Sequence, residues 1–399
     1  MRKKLLSLLL VVLMIIPCSS CANDYPTVNL TKVFDYVFDA GTFTVLDYDF
    51  ASEYFKNNYD NWGDGGCSAI AKTLDDGTTI IGRNMDLNVS NKPAYIFRTD
   101  VKDHYKTINL AYTFRKVSPD YDEILANGVP DTLARVLPFM ADDVLNEKGL
   151  YIEVNMRNGE AWPTGDSKFS CSGTNPGADE RVYMFELPRY IGENCASVDE
   201  AIDYVHTLDV YSMDDYWNYC FLLADSSGKY GILEFACNEI FFHEYQPCQT
   251  NFYIEPILNQ FEELKCGVGR YNLLMENIDS VKSEEDMFNL MKRVSYSQVY
   301  DPYNSEFDVR SENVGVTFFA TYDILMDEEN KEFLYECFEA LGSIVRGLSR
   351  QEKQDINEYW ESSFTEVVNC NEKTILVRFF ENENKVIKID IDGNIEIIK

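Results

Sequence analysis

A cysteine that opens a strand directly after a glycine-rich segment can become a nucleophile if the bond before it is cut. Gly63-Asp64-Gly65-Gly66 precedes Cys67 and Ser68 in this way. Once Cys67 is N-terminal, its own α-amino group, with a pKa near 8, can take the proton of a thiol with a pKa near 8.5. Exchange between groups so closely matched costs little at neutral pH, so neither a histidine nor a metal is needed. This suits a chain with 3 histidines, His104, His206 and His243, none in an H-x-x-x-H or H-E-x-x-H pattern. The residues alone also fit a buried strand cysteine. Cys237, His243 and Cys248 could form a zinc set, yet their spacing fits alternating strand residues as well. No glycine-rich phosphate loop is present. Neither a cofactor nor a resident metal is expected.

The elements that must hold Cys67 are legible in outline. Cys67 to Thr73 and Thr78 to Asn84 flank the turn signal Asp75-Asp76-Gly77, which predicts a hairpin. Ser197 and Glu200 have capping-box spacing, and Val198, Ala201, Ile202 and Val205 share the face of a following helix. Phe221 to Asp225, the turn Ser226-Ser227-Gly228 and Tyr230 to Phe235 predict a second hairpin. Helices are expected over 283–293 and 329–346, with strands over 374–380 and 385–391 and a short one after Asp392-Gly393. Residues 22–66 are rich in Asp, Tyr and Phe without clear periodicity, and no repeat or low-complexity linker divides 67–399.

The chain has 399 residues, and 35 Lys+Arg against 67 Asp+Glu leave a formal charge of −32. That charge excludes a nucleic-acid partner, which needs clustered Lys and Arg to replace counterions. With 45% hydrophobic and 14% aromatic residues, a large core can form. Arg2, Lys3 and Lys4 precede an apolar stretch from Leu5 to Ile16 that Pro17 breaks, the layout of a signal peptide and shorter than the roughly 20 residues of a membrane span. Ser19 and Ser20 before Cys21 resemble a bacterial lipoprotein cleavage and lipidation site. Export is expected, with Cys21 anchoring the chain to the outer face of a membrane or, without lipidation, plain secretion. Apart from Cys18 and Cys21, 9 of the 11 cysteines are scattered along the chain, which is no disulfide scaffold.

Gly66-Cys67-Ser68-Ala69-Ile70 followed by Gly82-Arg83-Asn84-Met85-Asp86 resembles the opening of the choloylglycine hydrolase family, the bile salt hydrolases and penicillin V acylases, with the acid ceramidase group more distant. Its recurring arginine and aspartate match in spacing, since 83 − 67 = 16 and 86 − 67 = 19. Asn146 to Leu150, Leu222 to Asp225, Thr250-Asn251, the helix after Ser197 and the strands from Asn369 onward are collinear with it, so the resemblance spans 67 to about 391.

The resemblance implies an α+β fold, a four-layer αββα sandwich of N-terminal-nucleophile hydrolase type, with 1–21 a signal peptide, 22–66 a propeptide or small-subunit segment and 67–399 the catalytic domain. It implies hydrolysis of a linear, non-peptide amide, a small-molecule substrate, through an acyl-thioenzyme. Cys67 would attack the carbonyl, Arg83 would favour its thiolate, and Asp86 would orient the α-amine. Asn251 and Asn155 would donate to the oxyanion, Asn155 standing one residue earlier after Leu150 than in bile salt hydrolases. Arg270, in Gly269-Arg270-Tyr271, would be the last active-site arginine. An unprocessed ligand-binding lipoprotein and an acyltransferase are the alternatives. If both Cys21 and Cys67 become N-terminal, the fragment 21–66, with Val33, Phe34, Tyr36, Val37 and Phe38, is apolar enough to stay packed on the catalytic domain.

Overall fold

The structure, a computed structural model, describes residues 34–38, 67–88, 94–112, 141–156, 171–212, 219–256, 267–295, 315–322, 360–379 and 386–398. The expected helix over 329–346 and the signal region lie outside them. In chain order the strands begin β1 (Phe34–Phe38), β2 (Ser68–Thr73), β3 (Thr79–Asn88), β4 (Ala94–Thr99), β5 (Thr107–Tyr112), β6 (Asp143–Asn146) and β7 (Tyr151–Met156). After β8 (Arg181–Tyr183), helices α1 (Leu187–Asn194) and α2 (Val198–Val205) lead to β9 (Asp209–Tyr211), β10 (Tyr219–Ala224), β11 (Tyr230–Ala236), β12 (Glu239–Glu244) and β13 (Cys248–Gln249). Helices α3 (Val268–Asn277) and α4 (Glu284–Lys292) precede β14 (Gly315–Tyr322), β15 (Trp360–Asn369), β16 (Thr374–Phe379), β17 (Val386–Asp390) and β18 (Ile395–Ile397).

Two large sheets organise these elements into an α+β architecture. One runs β1-β14-β4-β5-β6-β7-β10-β11-β12, the other β13-β2-β3-β15-β16-β17-β18, and β8 and β9 form a parallel pair. Strand alternation sorts the side chains of both. On β2, Ala69 and Ala71 join Cys67 in a core shared with Leu110, Leu145, Tyr151 and Leu222 of the larger sheet. Ile70 faces the other way, into a core with Leu273 of α3 and Met287 and Met291 of α4. The far side of the larger sheet packs Ile152, Val154 and Phe221 against Ile191 of α1 and Val198 and Ala201 of α2. Cys67 therefore stands at the seam between the sheets.

Local chemistry sets the junctions. The first expected hairpin forms with β3 extending to Asn88, and its turn closes through Gly77 at φ +89°. Asn146 uses its whole carboxamide: Oδ1 accepts from the Lys148 and Leu150 amides at 2.9 and 3.0 Å, and Nδ2 donates to the Gly192 and Cys195 carbonyls. This pins the β6–β7 turn to the end of α1. Ser197 caps α2 by accepting from the Glu200 amide at 3.3 Å, while Glu200 reaches back to the Ala196 amide, one residue earlier than in a regular capping box. The second hairpin and the three C-terminal strands form where expected, and α4 occupies 284–292 behind its Ser283 cap. A Cβ on Gly82 would lie 2.6 Å from Met291 Cγ, so this glycine lets α4 close onto β3. Residues 22–66, without periodicity in the sequence, contribute β1, whose five residues pair antiparallel with β14.

Candidate active site

Cys67 directly precedes β2 and is 6% exposed. Its Sγ lies 3.6 Å from Met85 Sδ and 3.8 Å from the Asp86 carbonyl. Arg83 is two residues before Met85 on β3, on the same face, and its Nη2 lies 3.7 Å from that same Met85 sulfur. Met85 thus stands between thiol and guanidinium, which do not hydrogen-bond to each other. Burial pushes the Cys67 thiol up to about 12, with Arg83 acting against that shift and the Asp86 charge adding to it. In the uncut chain this thiol is neutral at pH 7. The Asp86 side chain is 1% exposed.

A second arginine holds Cys67 from its backbone side. Arg270, in the first turn of α3, donates through Nη1 to the Cys67 carbonyl and to Ser68 Oγ at 2.7 Å, and through Nη2 to Asn251 Oδ1 at 2.7 Å. Gly267 caps that helix at φ +88°, a conformation that L side chains rarely adopt, and an added Cβ would lie 2.5 Å from Thr250 Oγ1. Thr250 donates to the Gly267 carbonyl at 3.1 Å, joining the Thr250-Asn251 pair to the helix that carries Arg270. Asn251 then spends its Nδ2 on the Met156 carbonyl at 2.6 Å.

Asn155 is placed by alternation along β7, where Tyr151, Glu153 and Asn155 share the face toward the smaller sheet. It is fully buried, yet among the described residues neither its Nδ2 nor its Oδ1 has a hydrogen-bond partner. An unpaired buried amide costs roughly 1–3 kcal/mol, so Asn155 holds hydrogen-bonding capacity in reserve.

Around Arg83 lies a group that sequence reasoning missed. Arg83 Nε is 2.6 Å from Asp143 Oδ1 and 3.1 Å from Glu153 Oε2, and Nη2 donates to the Val154 carbonyl at 2.8 Å. Gln249 Nε2 donates to Glu153 Oε1, and Tyr151 donates its hydroxyl to Glu366 Oε1. All of these side chains are buried. Burial raises the Glu153 and Glu366 carboxyls to about 7 each, and raises Asp143 well above the usual range despite Arg83. Burial lowers the Arg83 pKa, but Asp143 and Glu153 outweigh it and keep the guanidinium charged. Glu153 could have been found from the period-two pattern that pairs it with Asn155. Asp143, Gln249 and Glu366 come from three other strands and leave no local signal.

The structure therefore brings Cys67, Arg83, Asp86, Asn251 and Arg270 to one end of β2 and β3, and sets Asn155 on the facing strand. Cys21 lies outside the described residues. The imagined zinc set does not assemble: Cys237 is in the β11–β12 turn and Cys248 is buried in the other sheet, and among the described residues no cluster of three metal-ligating side chains exists.

No protein-family model and no curated protein sequence matches the chain. Solved structures do. A penicillin V acylase from Agrobacterium tumefaciens is similar at 13% identity and a TM-score of 0.47, over 83% of this chain and 91% of that one. A mutant conjugated bile acid hydrolase from Clostridium perfringens is similar at 16% identity and a TM-score of 0.41, over 84% and 96%. A second variant of that hydrolase gives 16% identity and 0.42, over 84% and 97%.

Proposed function

We propose that this protein is an amidohydrolase of the N-terminal-nucleophile kind, with a four-layer αββα fold, in which Cys67 becomes N-terminal and attacks a linear, non-peptide amide. The observation that carries this reading is the setting of Cys67, at a strand start between two sheets, with Arg270 gripping its carbonyl and Arg83 facing its sulfur across Met85. A merely structural core cysteine needs neither arginine.

In this reading a cut after Gly66 frees the α-amine, which takes the thiol proton as sulfur bonds to the amide carbon. The carbonyl electrons move onto oxygen, the tetrahedral adduct collapses, and the amine's proton passes to the departing nitrogen. Water repeats the sequence on the acyl-thioenzyme and releases the acid. Asp86 orients the amine, Arg83 favours negative charge on sulfur, and Arg270 fixes the strand end. Asn155 is the first donor to the oxyanion, because its Nδ2 is uncommitted, whereas Asn251 donates to Met156 and accepts from Arg270. No cofactor enters any step. The chain is exported and anchored by a lipidated Cys21.

A ligand-binding protein that is never cut is the second reading, favoured by one feature: the neutral, buried Cys67 thiol of the intact chain. Intact-mass measurement and N-terminal sequencing of the exported protein separate the two. A large chain beginning at Cys67 that hydrolyses a member of a panel of N-acyl amino acids, acyl homoserine lactones, penicillin V and conjugated bile salts supports the hydrolase. A chain continuous through Gly66 that binds such amides without turnover overturns it, and acyl transfer to an added amine in preference to water redirects it to an acyltransferase.

A further inference from the structure

We propose that Glu153 is a positioning residue of the Cys67 centre, holding Arg83 on the far side of Met85 from the sulfur, and that Glu153, Asp143 and Glu366 share protons whose number sets how readily Cys67 ionises. The inference deepens the hydrolase reading, since it takes Cys67 as the nucleophile.

Three carboxyl groups from β6, β7 and β15 face one guanidinium, and all four side chains are fully buried. One guanidinium neutralises one carboxylate, and a further unpaired charge in so dry a space costs several kcal/mol. The three carboxyls differ in their hydrogen bonding. Both Glu153 oxygens meet donors, Gln249 Nε2 on one and Arg83 Nε on the other. Among the described residues neither Asp143 oxygen has a hydrogen-bonded partner, although Oδ1 lies 2.6 Å from Arg83 Nε. Glu366 accepts from Tyr151 on one oxygen and, among the described residues, has no partner on the other.

The charged and titratable surroundings are accounted for strand by strand. Cys67 precedes β2; β3 carries Arg83 and Asp86; Asp142 directly precedes β6, which carries Asp143; β7 carries Tyr151 and Glu153; Cys248 lies on β13, Glu366 on β15 and Arg270, which donates to the Cys67 carbonyl, on α3. With one ionised carboxylate the cluster is neutral and Arg83 is balanced. As pH rises through about 7, Glu153 and Glu366 lose their protons, and the added negative charge disfavours a Cys67 thiolate. The cluster opposes the ionisation that rising pH would otherwise promote.

The test is the pH dependence of Cys67 alkylation by iodoacetamide, read by peptide mass spectrometry on the full chain. In the native protein the rate should climb with pH and then flatten above about pH 7. Glu153→Gln keeps the shape and removes the charge. Its profile should lose the flattening and run about tenfold faster at pH 8, because a like charge within ~4–6 Å is worth about one pKa unit. Glu153→Asp should restore the flattening, while amide turnover in both variants falls in kcat more than in KM as Arg83 loses its support. Should these variants fail to fold, infrared difference spectra of the unaltered protein must reveal a protonated carboxyl band that vanishes between about pH 6 and 8. Superimposable alkylation profiles for folded native and Glu153→Gln protein, or no titrating band, overturn the proposal. Neither readout needs processing or substrate. A changed alkylation profile in a protein without amidase activity therefore retains the cluster and sinks the hydrolase, and an active enzyme with unchanged profiles does the reverse.

Discussion

Asn155 and Asn251 are both buried amides, but they differ in what they have left to donate. If Asn155 is the oxyanion donor proposed above, Asn155→Ala removes that donor, so kcat should fall about 10²–10³-fold with KM nearly unchanged and the far-UV circular dichroism intact. Asn251→Ala also frees Arg270 Nη2 and the Met156 carbonyl, and should cost stability as well as rate. Equal thermal midpoints for the two variants, or full turnover by Asn155→Ala, would reverse this ranking. The proposed nucleophile has a sharper test. Cys67→Ala should abolish hydrolysis and Cys67→Ser should leave a trace, measured on the best substrate of the panel, whereas full turnover by Cys67→Ala removes the thiol from the mechanism.

At the scale of elements, the helix that carries Arg270 depends on its cap. Gly267→Ala forces a side chain into a left-handed conformation and against Thr250, which should cost at least about 1–3 kcal/mol and loosen the grip of Arg270 on Cys67. Activity should therefore fall in a protein that melts earlier, measured by paired thermal and kinetic assays. The facing strands make a separate prediction. Glu153 and Glu366 rise on folding from 4.5 to about 7, so the stability they contribute is fully present below about pH 4.5 and is lost as pH rises through about 7. The unfolding midpoint should fall between about pH 5 and 8, and Glu366→Gln should flatten that fall in a thermal melt series. What the sequence made legible here was local. The Asp75-Asp76-Gly77 turn and the Ser197 and Ser283 caps encode their geometry within a few residues, and the Cys67, Arg83 and Asp86 spacing lies within one hairpin. The carboxyl cluster was not legible, because residues 83, 143, 153, 249 and 366 meet only when two sheets pack face to face.

The same contrast governs the molecule as a whole. Residues 22–66 gave no periodic signal, yet β1 lies at the edge of the larger sheet, paired with a strand nearly three hundred residues away. A cut after Gly66 would leave β1 on one polypeptide and its partner β14 on the other. If the pairing holds, the large chain should remain on membranes that carry a lipidated Cys21 and leave them in mild denaturant, as fractionation and N-terminal sequencing would report. Release of active large chain into the medium without denaturant argues against a β1 tether. The edge strand also changes the order of the folding reaction. A precursor denatured and diluted recovers by a first-order process, since β1 is tied to its own sheet. A chain cut after Gly66 would have to bring two molecules together, so its recovery should slow in proportion to dilution, and material lost by unfolding at low concentration should not return.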